Sequence, residues 1–333
     1  MLIEKFPEIE YIHPIVIELP GFGDLLTANM YALGKGPITL IDSFPKFPGS
    51  FEQVENQLGQ AGFTFADVER IIITHGHIDH FGIAEKIREA SGHHVDCYIH
   101  PDDAWRASSG YVSTSMWGKE AENFAAMVDM PSKDIERMRR RSAFFKNFCD
   151  PLEDLCVMDQ GDVFSGDGYK LHVIHTPGHT TGSCCLYESC NKILFSGDHI
   201  IKHITPNPFT EIYRSKLRDP NYQSLKAYNE SLIKVEQYDI SYCFSGHGEY
   251  IDDLSGIISG YREHHKKRMD TIQVMLRDNP LSIYHIAKGI FPNAPESEIF
   301  LAVSEIFVHL EILINEGRVE LFDPGPPAIY RAV

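Results

Sequence analysis

Hydrophobic and polar positions divide the chain into stretches with different periods. Near the start, short apolar runs between turn residues predict strands over PIVIELP, LLTANMYALG and PITLIDSF, the last ending its apolar run near Asp42. FEQVENQLGQAG then has helical spacing, and VERIIITH is a β-branched apolar run suited to a strand buried on both faces. That run stops at Thr74, and after HGHIDHFG the stretch IAEKIREASG predicts an amphipathic helix with Gly92 as its stop. The plan returns further on: YKLHVIHT, SCCLYES and KILFSGD read as strands, with PGHT a tight turn, and DISYCFSGHGEY as a strand broken at Gly246-His247-Gly248.

Two regions depart from this plan. Over about residues 101–157 the pattern becomes helical, in PDDAWRASSGYVSTSMW, EAENFAAMVDM and SKDIERMRRRSAFFKNF, which predicts an insertion. From Tyr261 on, YREHHKKRMDTIQVML, SIYHIAKGIF and ESEIFLAVSEIFVHLEILINEG predict three helices, and RVELF-DPGPP-AIYRAV a ribbon around a Pro/Gly turn. Three helices and a hairpin suggest a small winged-helix domain over residues 256–333, behind an α/β domain over 1–255. No internal repeat or low-complexity tract interrupts this division.

Polar chemistry collects where the predicted strands end, the place where a sheet fixes positions and loop backbone stays free. His75, His77, Asp79 and His80 fall within six residues directly after an apolar strand. Imidazoles and carboxylates are ligands for zinc, iron or manganese, and a glycine-loosened turn lets four of them bend around two ions. Further ligands for a metal pair stand at later strand ends: His179 in TPGHTTGS, Asp198 in FSGDH and His247 in SGHG.

Taken together, THGHIDH, TPGHT, SGDH and SGHG resemble the metallo-β-lactamase superfamily, over about residues 15–251 apart from the insertion. The resemblance implies an αββα sandwich of two mixed sheets. It implies His75, His77 and His179 as ligands of a first metal, Asp79, His80 and His247 of a second, and Asp198 as the carboxylate bridging both. Two divalent ions follow, zinc first and iron or manganese as alternatives. A water bridging cations about 3.5–4 Å apart has its pKa lowered from about 15.7 towards about 7, giving a hydroxide nucleophile. Asp79 is expected to orient that nucleophile and carry its proton, which makes Asp79 and Asp198 the catalytic pair. In the antibiotic-degrading zinc enzymes a cysteine generally stands where Asp198 stands here, so β-lactam hydrolysis is not expected. A flavodoxin-like domain is also missing, which sets aside the diiron oxygen- and nitric-oxide-reducing branch. The glyoxalase II, lactonase and nuclease branches remain.

Composition narrows this further. The 333 residues, 43% hydrophobic and 23% charged, fit a soluble globular chain with a sizeable core. No run approaches the roughly 20 apolar residues that crossing a membrane requires. The first residues carry acids where a secretory signal has bases, and seven cysteines without a CxxC pair suit a reducing compartment, so a cytoplasmic protein is expected. Cys184 and Cys185 read as buried strand thiols rather than nucleophiles. The net charge of −17, from 47 acids and 30 bases, opposes sequence-independent binding to phosphate backbones. The C-terminal part resembles the winged-helix tail of the β-lactamase-like protein 2 group, which includes a mitochondrial endoribonuclease. From Ser255 onward, however, ten acids outnumber eight bases, so pocket closure or a homodimer contact is expected of it rather than nucleic-acid binding.

The expected activity is hydrolysis of a small ester or thioester, of the acyl-thioester or lactone class. A metal-dependent nuclease or a mononuclear-iron sulfur dioxygenase stands as the alternative. His199 and His203, in GDHIIKHITPNP, are expected to pass the site mouth and offer substrate contacts. Phe124 and Phe145 in the insertion offer an apolar acyl wall, unless they only pack the insertion down. Arg139-Arg140-Arg141 suits a phosphate-bearing group such as the nucleotide end of coenzyme A, or a solvated helix face. A solvated face is also the favoured place for His264 and His265, and packing for His172 and His175.

Overall fold

A computed structural model of the chain describes residues 6–19, 25–112 and 118–333. Part of the expected helical stretch, 113–117, lies outside them. One sheet runs β1 (Ile12–Glu18), β2 (Thr27–Leu33), β3 (Ile38–Ile41), β4 (Val68–Ile72), β5 (Asp96–Ile99) and β6 (Cys156–Val157), in that spatial order. It is antiparallel from β1 to β3 and parallel from β3 to β6. The second sheet holds β7 (Val163–Gly166), β8 (Tyr169–His175), β9 (Cys184–Glu188), β10 (Ile193–Gly197) and β11 (Tyr242–Ser245), in the order β11-β10-β9-β8-β7.

The continuous apolar run of β4 has a direct physical reason. Ile72 points into the space between the sheets, with Tyr31, Leu186, Phe195 and Phe244. Its neighbour Ile71 points the other way, into a core that includes Val54, Leu58 and Ile87 of the helices Ser50–Gln60 and Ala84–Ser91. Both faces are covered, so both isoleucines are buried, each contributing about 1.5–3 kcal/mol. β9 works alike, with Leu186 inward and Cys185 outward against a core with Leu225, Leu232 and Ile258. The result is the expected αββα layering. The helix Ser224–Val235, which covers the second sheet, and strands β5 and β7 are additional to the elements read from the sequence.

The outer helix Leu254–Asp278 does not stop at the expected boundary after residue 255. Ile258 and Tyr261 pack on the second sheet, while Ile272 and Leu276 enter a separate C-terminal core. That core is completed by helices Ile283–Ile290 and Ile299–Asn315 and an antiparallel sheet of β12 (Leu281–Ser282), β13 (Val319–Asp323) and β14 (Ile329–Ala332).

The insertion ends earlier than expected, because Cys156–Val157 is strand β6 of the first sheet. Its helix Lys119–Met127 and the turn that follows pack on the C-terminal unit rather than on the main sheets. Ala125, Val128 and Met130 lie in the core of Ile272, Val303 and Ile306, and Phe124 edges Phe307 at 5.6 Å. All seven cysteines are free, and no described helix is long and apolar enough to cross a membrane.

Candidate metal centre

Seven side chains from four strand ends meet in one buried place. His75 and His77 follow β4, and His77 caps the single helical turn Ile78–Phe81 that carries Asp79 and His80. The six-residue motif is therefore partly helical rather than a loose turn throughout. His179, Asp198 and His247 follow β8, β10 and β11. His75, His77 and His179 form one trio and Asp79, His80 and His247 another. In the first, His77 Nδ1 lies 3.0 Å from both His75 Nε2 and His179 Nε2.

Asp198 stands between the trios. Its Oδ1 lies 3.3 Å from His80 Nε2 and from His247 Nε2, and its Oδ2 lies 3.6 Å from His179 Nε2.

The supporting hydrogen bonds assign the tautomers. His80 Nδ1 donates to Asp42 Oδ2 (2.9 Å), His247 Nδ1 to the Thr27 carbonyl (2.7 Å) and His179 Nδ1 to the Asn207 carbonyl (3.3 Å). Thr74 Oγ1 gives its proton to Asp42 Oδ2 (2.8 Å), so it accepts from His75 Nδ1 (3.2 Å). Each of these four rings thus turns an Nε2 lone pair inward. Among the described residues His80 Nε2, His247 Nε2 and Asp198 Oδ1 are buried with no hydrogen-bond partner, a costly state for polar atoms unless a cation fills it. The donors present fit divalent metal ions.

Electrostatics separates the trios. Burial holds His75 and His77 well below the ordinary histidine pKa, and neighbouring histidines add to it; burial also lowers His179. Burial opposes charge on His80 and His247 as well, but carboxylates outweigh it, Asp198 and Asp42 beside His80 and Asp198 beside His247, and both are raised. Asp198 is correspondingly held well below the carboxylate range, since His247 and His80 outweigh its burial.

Residues not singled out from the sequence frame the site. Asp42, at φ 61°, also accepts from Thr74 N (2.7 Å), fixing the start of the ligand loop. Asp103, fully buried on the helix Pro101–Ala107, accepts from Gly76 N (2.8 Å), Thr180 Oγ1 (2.6 Å) and Gly182 N (3.1 Å), so one carboxylate ties the His75–His77 loop to the His179 loop. Arg106 links Asp103 (3.2 Å) to Glu211 (2.6 Å). Gly246 is required by close approach, because a Cβ there would sit 2.6 Å from His80 and 2.7 Å from Asp198. Asp42 ends an apolar strand, the same signal that the singled-out ligands carry, and could have been found by it. Asp103 carried no local signal.

The expected substrate contacts divide differently. Phe209 is half-buried, with its ring 5.4 Å from the rings of both His77 and His179. Phe124 lies in the C-terminal core, and Phe145 packs with Phe144, Phe148 and Arg141. A place at the site mouth does not fit His199, which is fully buried, its ring 5.0 Å from Tyr228. His203 is exposed, its Nδ1 beside Gly248 next to His247. His265 is not on a solvated face: it is buried between helices, Nδ1 3.0 Å from His309 Nε2. Cys184 is also buried, and that burial pushes its thiol well up.

His100, Asp159 and His175 also come together. His100 Nδ1 accepts from Asp102 N (3.2 Å), which leaves the proton on Nε2, facing Asp159 at 3.3 Å. The two rings stack 4.0 Å apart at 12°, so this group reads as a hydrogen-bonded pair.

Comparison with known proteins agrees with this geometry. The chain is similar to a probable metallo-hydrolase of Bacillus subtilis, YqjP, at 23% identity over 96% of this chain and 98% of the relative. An acyl-coenzyme A thioesterase of Gallus gallus, MBLAC2, is 30% identical over 38% of this chain and 40% of its own length. The crystal structure of the family protein TTHA1429 from Thermus thermophilus superposes with a TM-score of 0.80 at 23% identity, covering 98% of this chain and 99% of that one. Residues 23–247, which include all seven converging side chains, match the family model described as the metallo-beta-lactamase superfamily, and the chain belongs to that family of metal-dependent hydrolases.

Proposed function

We propose that the chain is a dinuclear hydrolase of acyl thioesters, with esters and lactones as the neighbouring substrate class. The observation that carries this reading is Asp198, whose two oxygens face different ligand trios. A carboxylate so placed supports two ions rather than one. His75, His77 and His179 would hold one, Asp79, His80 and His247 the other, and Asp198 both, with zinc, iron or manganese compatible with these donors.

A bound divalent pair supplies acidified water and a polarised carbonyl. The chain's own residues do the rest. Asp79 Oδ2, 3.6 Å from His247 Nε2, is the acceptor for the proton of the attacking water. The water oxygen bonds to the thioester carbon, the carbon–sulfur bond breaks, and Asp79 returns the proton to the departing thiolate. Phe209 walls the side of His77 and His179 and keeps bulk water off the acyl group. No protein nucleophile is called on, in keeping with the buried Cys184 thiol.

The thioester class is supported by the relative named an acyl-coenzyme A thioesterase. We read residues 256–333 as winged-helix-like and as a packing unit, since the charge of −17 opposes a nucleic-acid role. Metal analysis should find two ions per chain. A panel of acyl-coenzyme A, acyl-glutathione, lactone and labelled single-stranded RNA should show thioester turnover and intact RNA. Asp198→Ala should lose at least one ion and nearly all hydrolysis. Unchanged metal content and activity in that variant, or one iron per chain without hydrolysis, overturns the reading.

A further inference from the structure

The helix Ser132–Phe145 carries four arginines, and their surroundings differ. Arg137 is neutralised twice, by Asp134 at 3.0 Å and Glu296 at 2.7 Å, and Arg139 pairs with Glu122 at 3.1 Å. Among the described residues Arg140 pairs with Glu136 alone, one turn back at 3.9 Å, and its side chain is 71% exposed. Among the described residues Arg141 shows no ion pair with a carboxylate. Its guanidinium is instead fixed by the Ser297 carbonyl (2.7 Å) and by the Phe145 ring (4.9 Å).

Arg140 and Arg141 line a crevice of about 550 Å³ between this helix and Glu296–Ser297, together with Phe144 and Phe145. Phe144 is 59% exposed, an unusual state for a large apolar ring. A guanidinium held in place by a carbonyl and a ring, but not neutralised, is preorganised to fork an anion. In a chain of net charge −17, this group and the weakly paired Arg140 beside an exposed phenyl ring form a local exception. The volume lies within the usual range for small-molecule sites. The crevice also adjoins the metal-bearing segment: Phe144 and Phe145 pack on Phe148 at 5.1 and 5.8 Å, and the Phe148 carbonyl abuts Gly82, which ends the helical turn of Asp79 and His80.

We infer that this crevice binds the phosphorylated nucleotide end of a carrier thioester, with Arg140 and Arg141 on phosphate oxygens and Phe144 against the base. The inference rests on the thioester reading for its substrate, while the anion site stands on its own residues.

Titration calorimetry of the full chain with adenosine 3′,5′-bisphosphate tests it. Saturable binding is expected, weakened on the order of tenfold or more by Arg141→Ala and by Arg140→Glu. Phe144→Ala should weaken it about fivefold or more. Arg140→Glu, at an exposed position, should leave thermal midpoint and metal content unchanged, so lost binding there is not unfolding. Inorganic pyrophosphate should bind more weakly than the nucleotide. Equal binding of the two, with no effect of Phe144→Ala, reduces the site to an anion patch and overturns the inference. So does tighter binding of a single-stranded RNA that competes for the crevice.

A second arm compares KM for acyl-coenzyme A and for the same acyl group on pantetheine, with the former expected at least about tenfold lower. Equal KM values and no bisphosphate binding remove this site and leave the thioesterase reading standing. Bisphosphate binding without hydrolysis of any thioester removes that reading and leaves the site.

Discussion

His75, His77 and His179 meet as neutral rings whose protonation is suppressed by burial, whereas His80 and His247 stand among carboxylates that favour positive charge. The supports of the two trios differ in the same way. The second is held by the sandwich itself, through Asp42 at the end of β3 and the Thr27 carbonyl of β2. The first shares Asp42 at one remove, through Thr74 to His75, and is otherwise held from outside the sandwich. Asp103 and Arg106 come from the helix Pro101–Ala107, and the loop supporting His179 is fastened to the C-terminal unit, Asn207 Nδ2 to the Leu301 carbonyl (3.2 Å) and Thr210 N to Ser304 Oγ (2.8 Å). One trio therefore rests on the sandwich alone, and the other also on segments outside it.

This division has testable consequences, and the largest concerns Asp103. Asp103→Ala strands two backbone N–H groups, the Thr180 hydroxyl and part of the Arg106 charge in a buried place, at a cost of about 3–5 kcal/mol. The variant should lose the ion of the His75, His77 and His179 trio first under graded chelation, whereas Asp42→Ala, which bears on His80 directly and on His75 only through Thr74, should lose the other first. If both variants release their ions in the same order, the supports of the two trios are not separate.

Acid should act on the C-terminal attachment. His265 is pushed down to about 3 by burial and then by His309 and His264, and His309 to about 4 by burial, which outweighs the Glu305 carbonyl and carboxylate; Glu305 opposes and Arg268 adds to both shifts. Both folded values lie below the unfolded value of about 6.5, so the unfolded chain binds protons that the folded chain refuses. Their stabilisation is complete above about pH 6.5 and is lost as pH falls from there towards 4, at up to about 2.7 kcal/mol per unit when both contribute. Urea midpoints at pH 7 and pH 5 measure it, and a His265→Leu, His309→Leu double variant should flatten the difference.

Ser304→Ala is a smaller and more distant test. It leaves Thr210 N–H buried without a partner, worth about 1–3 kcal/mol. The ion held by the His179 trio should dissociate at lower chelator concentration, with the other unaffected. The smallest effect belongs to Phe209. Phe209→Ala should change preference between acyl chains differing by two carbons by about tenfold in kcat/KM, with both ions retained. Phe124→Ala should lower Tm without reordering the substrates, and a change of ranking there would return the acyl wall to the insertion.

What was legible in the sequence follows from distance along the chain. Four candidate ligands lie within six residues behind an apolar strand, and each of the other three sits beside glycine at a strand end, so the seven residues could be singled out without coordinates, while their division between two ions was what the family resemblance implied. Asp103 was not, because its partners Gly76, Thr180 and Gly182 lie 27 to 79 residues away and nothing near it repeats a motif. The helical character of Lys119–Met127 was plain, but its partner was not, since apolar spacing shows which face is buried and not against what. His265 misled for a related reason: in EHHKKR it is surrounded by charge, yet its side of the helix meets Ile299–Asn315.

The helix Leu254–Asp278 gives the chain an unbroken beam through two cores. Tyr261, early in that beam, accepts from the Ile201 N–H and donates to the Ile201 carbonyl, three residues past Asp198. A shortened protein ending at residue 255 would therefore lose more than a terminal appendage. It would leave Ile200 and Leu225 without part of their cover, and the segment after Asp198 without its anchor. Trimming to a minimal catalyst, or grafting the tail onto another sandwich, has to carry the whole beam along, so in this chain the unit of inheritance is longer than the unit of chemistry.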